Sequence, residues 1–153
     1  MPIESKTKPA KVTASEWNNT GREIRALLEG KDLQTDITLN NYGTDKVGEG
    51  PPLHVHPYDE IFTITEGRAR FTVGDKTIDA EAGDVILGPA NIPHGYQNLG
   101  PGRLVSLDIH LSQEWIQYDL ADKWDQSSVR ISAESKMKSE ESQSGQKDGD
   151  SHA

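Results

Sequence analysis

The chain has 153 residues, about the size of one domain, and a formal net charge of −9. Its acidity is not confined to one end: residues 1–121 hold 18 of the 25 acids against 11 of the 16 bases. An acidic body does not attract a phosphate backbone, no run is long and apolar enough to cross a bilayer, and the absence of cysteine rules out a disulfide framework or a thiolate ligand.

Residues 1–13 are polar, with three lysines and two prolines, and read as a flexible leader. Residues 1–11 lack the apolar segment of a signal peptide, so a cytoplasmic protein is expected. Residues 22–30 suit either a helix face (Ile24, Leu27, Leu28) or an alternating strand (Ile24, Ala26, Leu28). Leu33, Thr35, Ile37 and Leu39 continue a period of two, which favours strands here. Residues 43–52 hold three glycines and two prolines and are expected to be loop.

Residues 58–66 are rich in β-branched and aromatic side chains, and Gly67 follows. Residues 68–73 place Ala69, Phe71 and Val73 on one face, Gly74 and Asp75 form a hairpin signal, and residues 76–80 return. Residues 85–87 and 95–98 are further short extended pieces. In residues 103–111, Val105, Leu107, Ile109 and Leu111 alternate with Ser106, Asp108 and His110. Many short strands with regular turns predict an all-β sandwich or barrel. Trp115, Ile116, Leu120 and Trp124 predict a short C-terminal helix or arm packed on it. Residues 14–125 therefore form the expected folded domain. Residues 126–153 contain eight serines and no aromatic residue and are expected to be a disordered polar tail.

Two of the five histidines stand one residue apart in HVHPYDE, residues 54–60. On a strand, positions i and i+2 point the same way, about 6.5–7 Å apart. His54 and His56 thus present two imidazoles to one face while Val55 turns away. Pro57 interrupts the ladder, and Glu60 opens the next inward series with Phe62 and Ile64. Glu60 can bring a carboxylate to the same centre, and His94, after Pro93 in a short loop, is the best candidate for a fourth ligand. His110, on the polar alternate face, reads as a surface residue or a neighbour of the ligands. Asp59 reads as a solvated strand end, and Arg68 and Arg70 as facing solvent or a partner subunit.

These residues carry a resemblance. Gly48, His54, His56, Glu60 and Gly67 resemble the first motif of the cupin superfamily, G-x5-H-x-H-x3-E-x6-G, at every signature position. Gly83, Pro89, Asn91, His94 and Asn98 resemble the second, G-x5-P-x-G-x2-H-x3-N, with Asn91 where the family has glycine. Asparagine tolerates the left-handed backbone better than most residues, so the turn is expected to survive.

The resemblance implies a cupin-type jelly-roll β-barrel of two antiparallel sheets, with His54, His56, Glu60 and His94 holding one divalent metal and the chain forming a homodimer. The N-terminal segment and residues 115–124 are the candidate interface. Three imidazoles and one carboxylate suit Fe, Mn, Ni, Co, Cu or Zn, so the ligands do not choose the metal. Octahedral geometry leaves two open positions, and Glu60 can stay bound or swing free as a catalytic base. The expected function is that of a small metal-dependent enzyme (dioxygenase, isomerase or lyase class) acting on an oxygen-bearing small molecule. The alternatives are a non-catalytic module that binds a sugar or metabolite, or a relative whose metal only stiffens the barrel. Tyr58, Phe62, Phe71, Tyr96, Gln97 and Asp108 are the candidate pocket residues.

Overall fold

The structure, a computed structural model, describes residues 7–18 and 24–120. The tail expected at 126–153, and Trp124 with it, lie outside the described residues.

Ten strands form two antiparallel sheets of five. In chain order they are β1 (Ala26–Leu28), β2 (Thr38–Thr44), β3 (His54–Val55), β4 (Glu60–Glu66), β5 (Arg68–Val73), β6 (Lys76–Glu81), β7 (Val85–Gly88), β8 (His94–Asn98), β9 (Leu104–His110) and β10 (Tyr118–Asp119). One sheet has the order β1-β2-β9-β4-β7, the other β10-β3-β8-β5-β6. This is the jelly-roll architecture that the motif resemblance implies.

Period-two alternation positions the core. Phe62 and Ile64 of β4, Ala69 and Phe71 of β5, Ala80 of β6, Tyr96 of β8 and Leu104 of β9 are buried together between the sheets. The aromatic rings pack closely in tilted pairs, with Phe71 4.7 Å from Tyr96 and Phe62 5.0 Å from Phe71. The outward positions of β5 carry Arg68 and Arg70, both exposed, and Arg70 pairs with Asp79 across the hairpin at 2.8 Å.

Two expectations are corrected. Residues 33–37 are not a strand. A one-turn helix, α2 (Gly30–Leu33), ends on Gln34 in the left-handed conformation, and pairing begins only at Thr38. Gly30 explains the helix: a β-carbon there would lie 2.5 Å from the carbonyl oxygens of Thr35 and Ile37. Secondly, β2 runs on through Gly43 to Thr44, because it pairs with β9 along its whole length. Of the two expected alternatives, helix or arm, residues 112–120 take the extended arm. Its end, β10, adds to β3 with Tyr118 opposite Val55 and Asp119 opposite His54. A second one-turn helix at Ala14–Trp17 is unpredicted; Glu16 caps its start by accepting from the Thr13 backbone N–H at 2.6 Å. No helix among the described residues is long and apolar enough to cross a membrane.

Candidate metal centre

Strand register brings the histidines together. His54 on β3 stands opposite His94 on β8, and Glu60 at the start of β4 stands opposite His110 at the end of β9. The loops between them are held in place. Asn91 carries φ +62, as its replacement of the usual glycine requires, and its N–H donates to the His56 carbonyl at 2.8 Å. Asp59 is not merely solvated: its carboxylate accepts from the Ala90 N–H at 2.8 Å, so it anchors the turn that leads into His94. Asn98, at the far end of β8, ties the next turn by accepting from Gly100 N–H and donating to the Gly102 carbonyl.

One donor atom from each of His54, His56, Glu60 and His94 lies within 4.8 Å of the others. The four side chains are 4%, 1%, 2% and 0% exposed, so water does not satisfy them. All three rings are oriented alike. Nδ1 of His54 meets the Pro52 carbonyl at 2.6 Å, Nδ1 of His56 the Ile116 carbonyl at 2.6 Å, and Nδ1 of His94 the Ile92 carbonyl at 3.2 Å. A carbonyl only accepts, so each Nδ1 carries the proton and each neutral ring directs its Nε2 lone pair inward.

Two tests show that the donor set fits a metal ion. Nε2 of His56 is buried without an aligned hydrogen-bond partner, although Glu60 Oε2 is 2.9 Å away. Nε2 of His94 lies 2.8 Å from the same oxygen. Donors bonded at right angles to one ion at about 2.1 Å stand about 3.0 Å apart, which matches both spacings. The electrostatics agree. Burial, reinforced by the neighbouring His94, pushes His54 down to about 3, so it stays a neutral ligand. Burial raises Glu60, but the contact with His110, the largest opposing influence, helps hold the carboxyl below its ordinary range. Three neutral imidazoles and one carboxylate would leave a divalent ion with net charge +1.

The Cupin domain family matches residues 41–110, a span that contains all four donors. The chain belongs to the cupin superfamily. This cupin is 31% identical over 78 residues to acireductone dioxygenase of Geobacillus kaustophilus, covering 46% of this chain and 43% of that protein. It is 29% identical over 79 residues to an uncharacterised protein of Streptomyces coelicolor, covering 49% of this chain and 74% of that one. Among solved structures, Bacillus subtilis oxalate decarboxylase, described for its Mn(II) centres, superposes with a TM-score of 0.59 at 25% identity. That match covers 66% of this chain and 29% of the decarboxylase. The cupin thus spans less than half of the dioxygenase and less than a third of the decarboxylase.

The candidate pocket residues of this cupin separate into three groups. Tyr58 lies at the centre, its ring stacked on His56 at 5.0 Å. Phe62, Phe71, Tyr96 and Asp108 lie deeper and are fully buried; Phe62 touches His94 edge-on at 5.3 Å, whereas Phe71 and Tyr96 belong to the core. Tyr96 donates its hydroxyl to Asp108 at 2.8 Å, and Ser106 donates to the other oxygen of the same carboxyl. Burial, with the charge of Glu60 next, raises Asp108 well above the ordinary carboxyl range. Gln97 does not join them. It is half-buried, and it alternates with Tyr96 and Asn98, so period two turns it away from the interior.

Sequence reasoning undervalued three groups. His110 is fully buried, with Nε2 3.0 Å from Glu60 Oε1; its alternation with Asp108 was the available signal. The arm covers the centre: Trp115 packs on His110 at 4.6 Å and on His56 at 5.9 Å, which no local pattern announces. Gly88 lies opposite Glu60 on β7, where a β-carbon would come within 2.9 Å of Phe62 and 3.2 Å of His94 Nδ1. Gly88→Ala is therefore expected to displace His94 and weaken metal binding about tenfold, as loss of a ligand-orienting contact does. Competition with a chelator checks it; unchanged affinity would mean that the ring has room to shift.

Proposed function

We propose that this cupin is a metal-dependent enzyme. His54, His56, Glu60 and His94 hold one divalent transition metal, and an oxygen-bearing small molecule is the substrate. The carrying observation is the convergence of four buried donors within 4.8 Å, with each imidazole already in the tautomer that offers Nε2. When bound, such a metal supplies Lewis-acid polarisation, water activation or, with iron, oxygen activation at its open positions. Glu60 balances part of the charge and is the group best placed to move a proton. The acireductone dioxygenase and oxalate decarboxylase relatives support an enzyme of this broad kind, and the decarboxylase supports manganese as one candidate metal.

The test is elemental analysis of purified protein and of His56→Ala after loading with each candidate metal. About one metal per wild-type chain and none retained by the variant is the expected result. A wild-type protein that takes up no stoichiometric metal would overturn the reading. One observation favours a non-catalytic binding module instead: the arm closes over the donors. Oxygen uptake by an iron-loaded sample would then separate oxidative chemistry from mere binding.

A homodimer belongs to the same proposal, although its support has moved. Val85 and Leu87 of β7 are 64% and 54% exposed, and they adjoin Ile61, Leu107 and Ile109 on the outer face of the first sheet. A contiguous apolar sheet face of this kind suits association between copies.

A further inference from the structure

His110 is outside the ligand set, yet it is fully buried and its Nε2 has no aligned hydrogen-bond partner. The polar contacts of its ring are two. Nδ1 lies 2.9 Å from the Tyr58 hydroxyl, and Nε2 lies 3.0 Å from Glu60 Oε1. The Ile116 N–H donates to the Tyr58 oxygen at 3.2 Å, and the phenol's own proton is free to be donated to His110 Nδ1. A neutral ring that accepts at Nδ1 carries its proton on Nε2, the nitrogen that stands 3.0 Å from Glu60 Oε1.

The two oxygens of Glu60 are thereby divided. Oε2 lies among the metal-facing nitrogens, 2.9 Å from His56 Nε2 and 2.8 Å from His94 Nε2, while Oε1 faces His110 alone of the histidines. We infer that His110, set by Tyr58, is a positioning residue for the Glu60 carboxylate: it holds Oε1 and leaves Oε2 to the metal. The inference rests on the metal reading above.

The arm completes the device. The backbone of Ile116 serves one ligand and one supporting residue: its carbonyl accepts from His56 Nδ1–H, and its N–H donates to Tyr58. Trp115 seals His110 from above, the Trp115 N–H is fixed by Glu29 at 3.0 Å, and the Leu120 N–H by the Leu53 carbonyl at 3.2 Å. The arm therefore orients His56 directly and Glu60 through Tyr58 and His110. Partners that orient ligands in this way are worth about 10–100-fold in metal affinity.

The experiment uses the full chain with Co(II), whose visible absorption reports ligand geometry. His110→Leu is expected to weaken Co(II) binding by about 10–100-fold and to shift the absorption bands. Tyr58→Phe, which removes one oxygen atom, is expected to act in the same direction. His110→Gln, whose amide can still donate to Oε1, should recover most of the affinity and the wild-type spectrum. Imidazole nitrogen NMR of the metal-free protein should show the Nε2–H tautomer at His110. Wild-type affinity and spectrum in both Tyr58→Phe and His110→Leu, or an Nδ1–H tautomer, would overturn the positioning role while leaving the metal reading intact. Failure of the wild type itself to take up Co(II) would overturn both.

Discussion

Glu60→Gln is expected to lower metal affinity by more than the 10–100-fold cost of losing an orienting neighbour, because it removes a ligand charge rather than a support. Glu60 is the one anionic member of the set, and it is buried with His56, His94 and His110 around it. Without its charge, a divalent ion would stand among neutral imidazoles in a site only 0–4% exposed, where the desolvation of the ion has little compensation. Chelator competition measures the loss. Retained affinity would mean that the metal is bound elsewhere or that the glutamine oxygen suffices. The same variant distinguishes the two functional readings. An enzyme loses turnover with Glu60, whereas a binding module can keep affinity for its ligand. His94→Ala is the companion, since it removes a ligand without changing the charge.

The second large effect is a rise in the stability of the metal-free protein with pH, up to about pH 6.5. His54 is held at about 3 by burial, whereas an unfolded chain titrates its histidines near 6.5. Between those values the unfolded state binds the extra proton, so stability rises with pH, by up to about 1.4 kcal/mol per pH unit for one histidine. Burial lowers His110 too, against the pull of Glu60, and it acts in the same window with the same sign. Asp108 has the opposite sign. Burial, and then the charge of Glu60, raises its folded pKa well above the ordinary range, so the native state keeps a proton that the unfolded chain releases above about pH 4. Its contribution is complete at low pH and fades as pH rises. The two histidines oppose it up to about pH 6.5, where their rise ends, and the Asp108 contribution is lost as pH climbs through its raised folded pKa. Calorimetric Tm of chelator-treated protein from pH 4 to 8 checks this. Asp108→Asn keeps the shape of the side chain and should steepen the rise, because it removes the group of opposite sign. An unchanged slope in that variant would show that Asp108 does not contribute.

The most legible feature of this sequence was its periodicity. Arg68–Val73 was marked to the residue, because a hairpin signal at Gly74 and Asp75 follows a clean alternation. The ligand set was legible for the same reason. His54 and His56 share a face by spacing alone, Glu60 heads an alternating strand, and His94 opens another. Local dihedral preference was legible at Asn91, where the chain needs φ +62 and places one of the few residues that tolerates it.

Where local patterns compete, the sequence alone led astray. Leu33, Thr35 and Ile37 alternate like a strand, yet Gly30 and the pairing partner of β2 place a helical turn there. Gly43 looked like loop, yet β9 offers a partner along the whole of β2. A polar residue on an alternating strand points to solvent or to a buried site with equal ease. Only the packing of β9 between β2 and β4 turned Ser106, Asp108 and His110 inward.

By itself the sequence determined the strand periodicity, the turn chemistry and the shared placement of His54, His56 and Glu60, since these depend on spacing and on local backbone preference, while His94 was marked by the motif resemblance. Tertiary structure alone decided that His110 faces Glu60, that Gly88 makes room for His94, and that the Ile116 peptide orients two histidines and a tyrosine. These are contacts between residues up to 60 positions apart, and a main-chain carbonyl or N–H leaves no mark on the side-chain pattern by which a sequence is read.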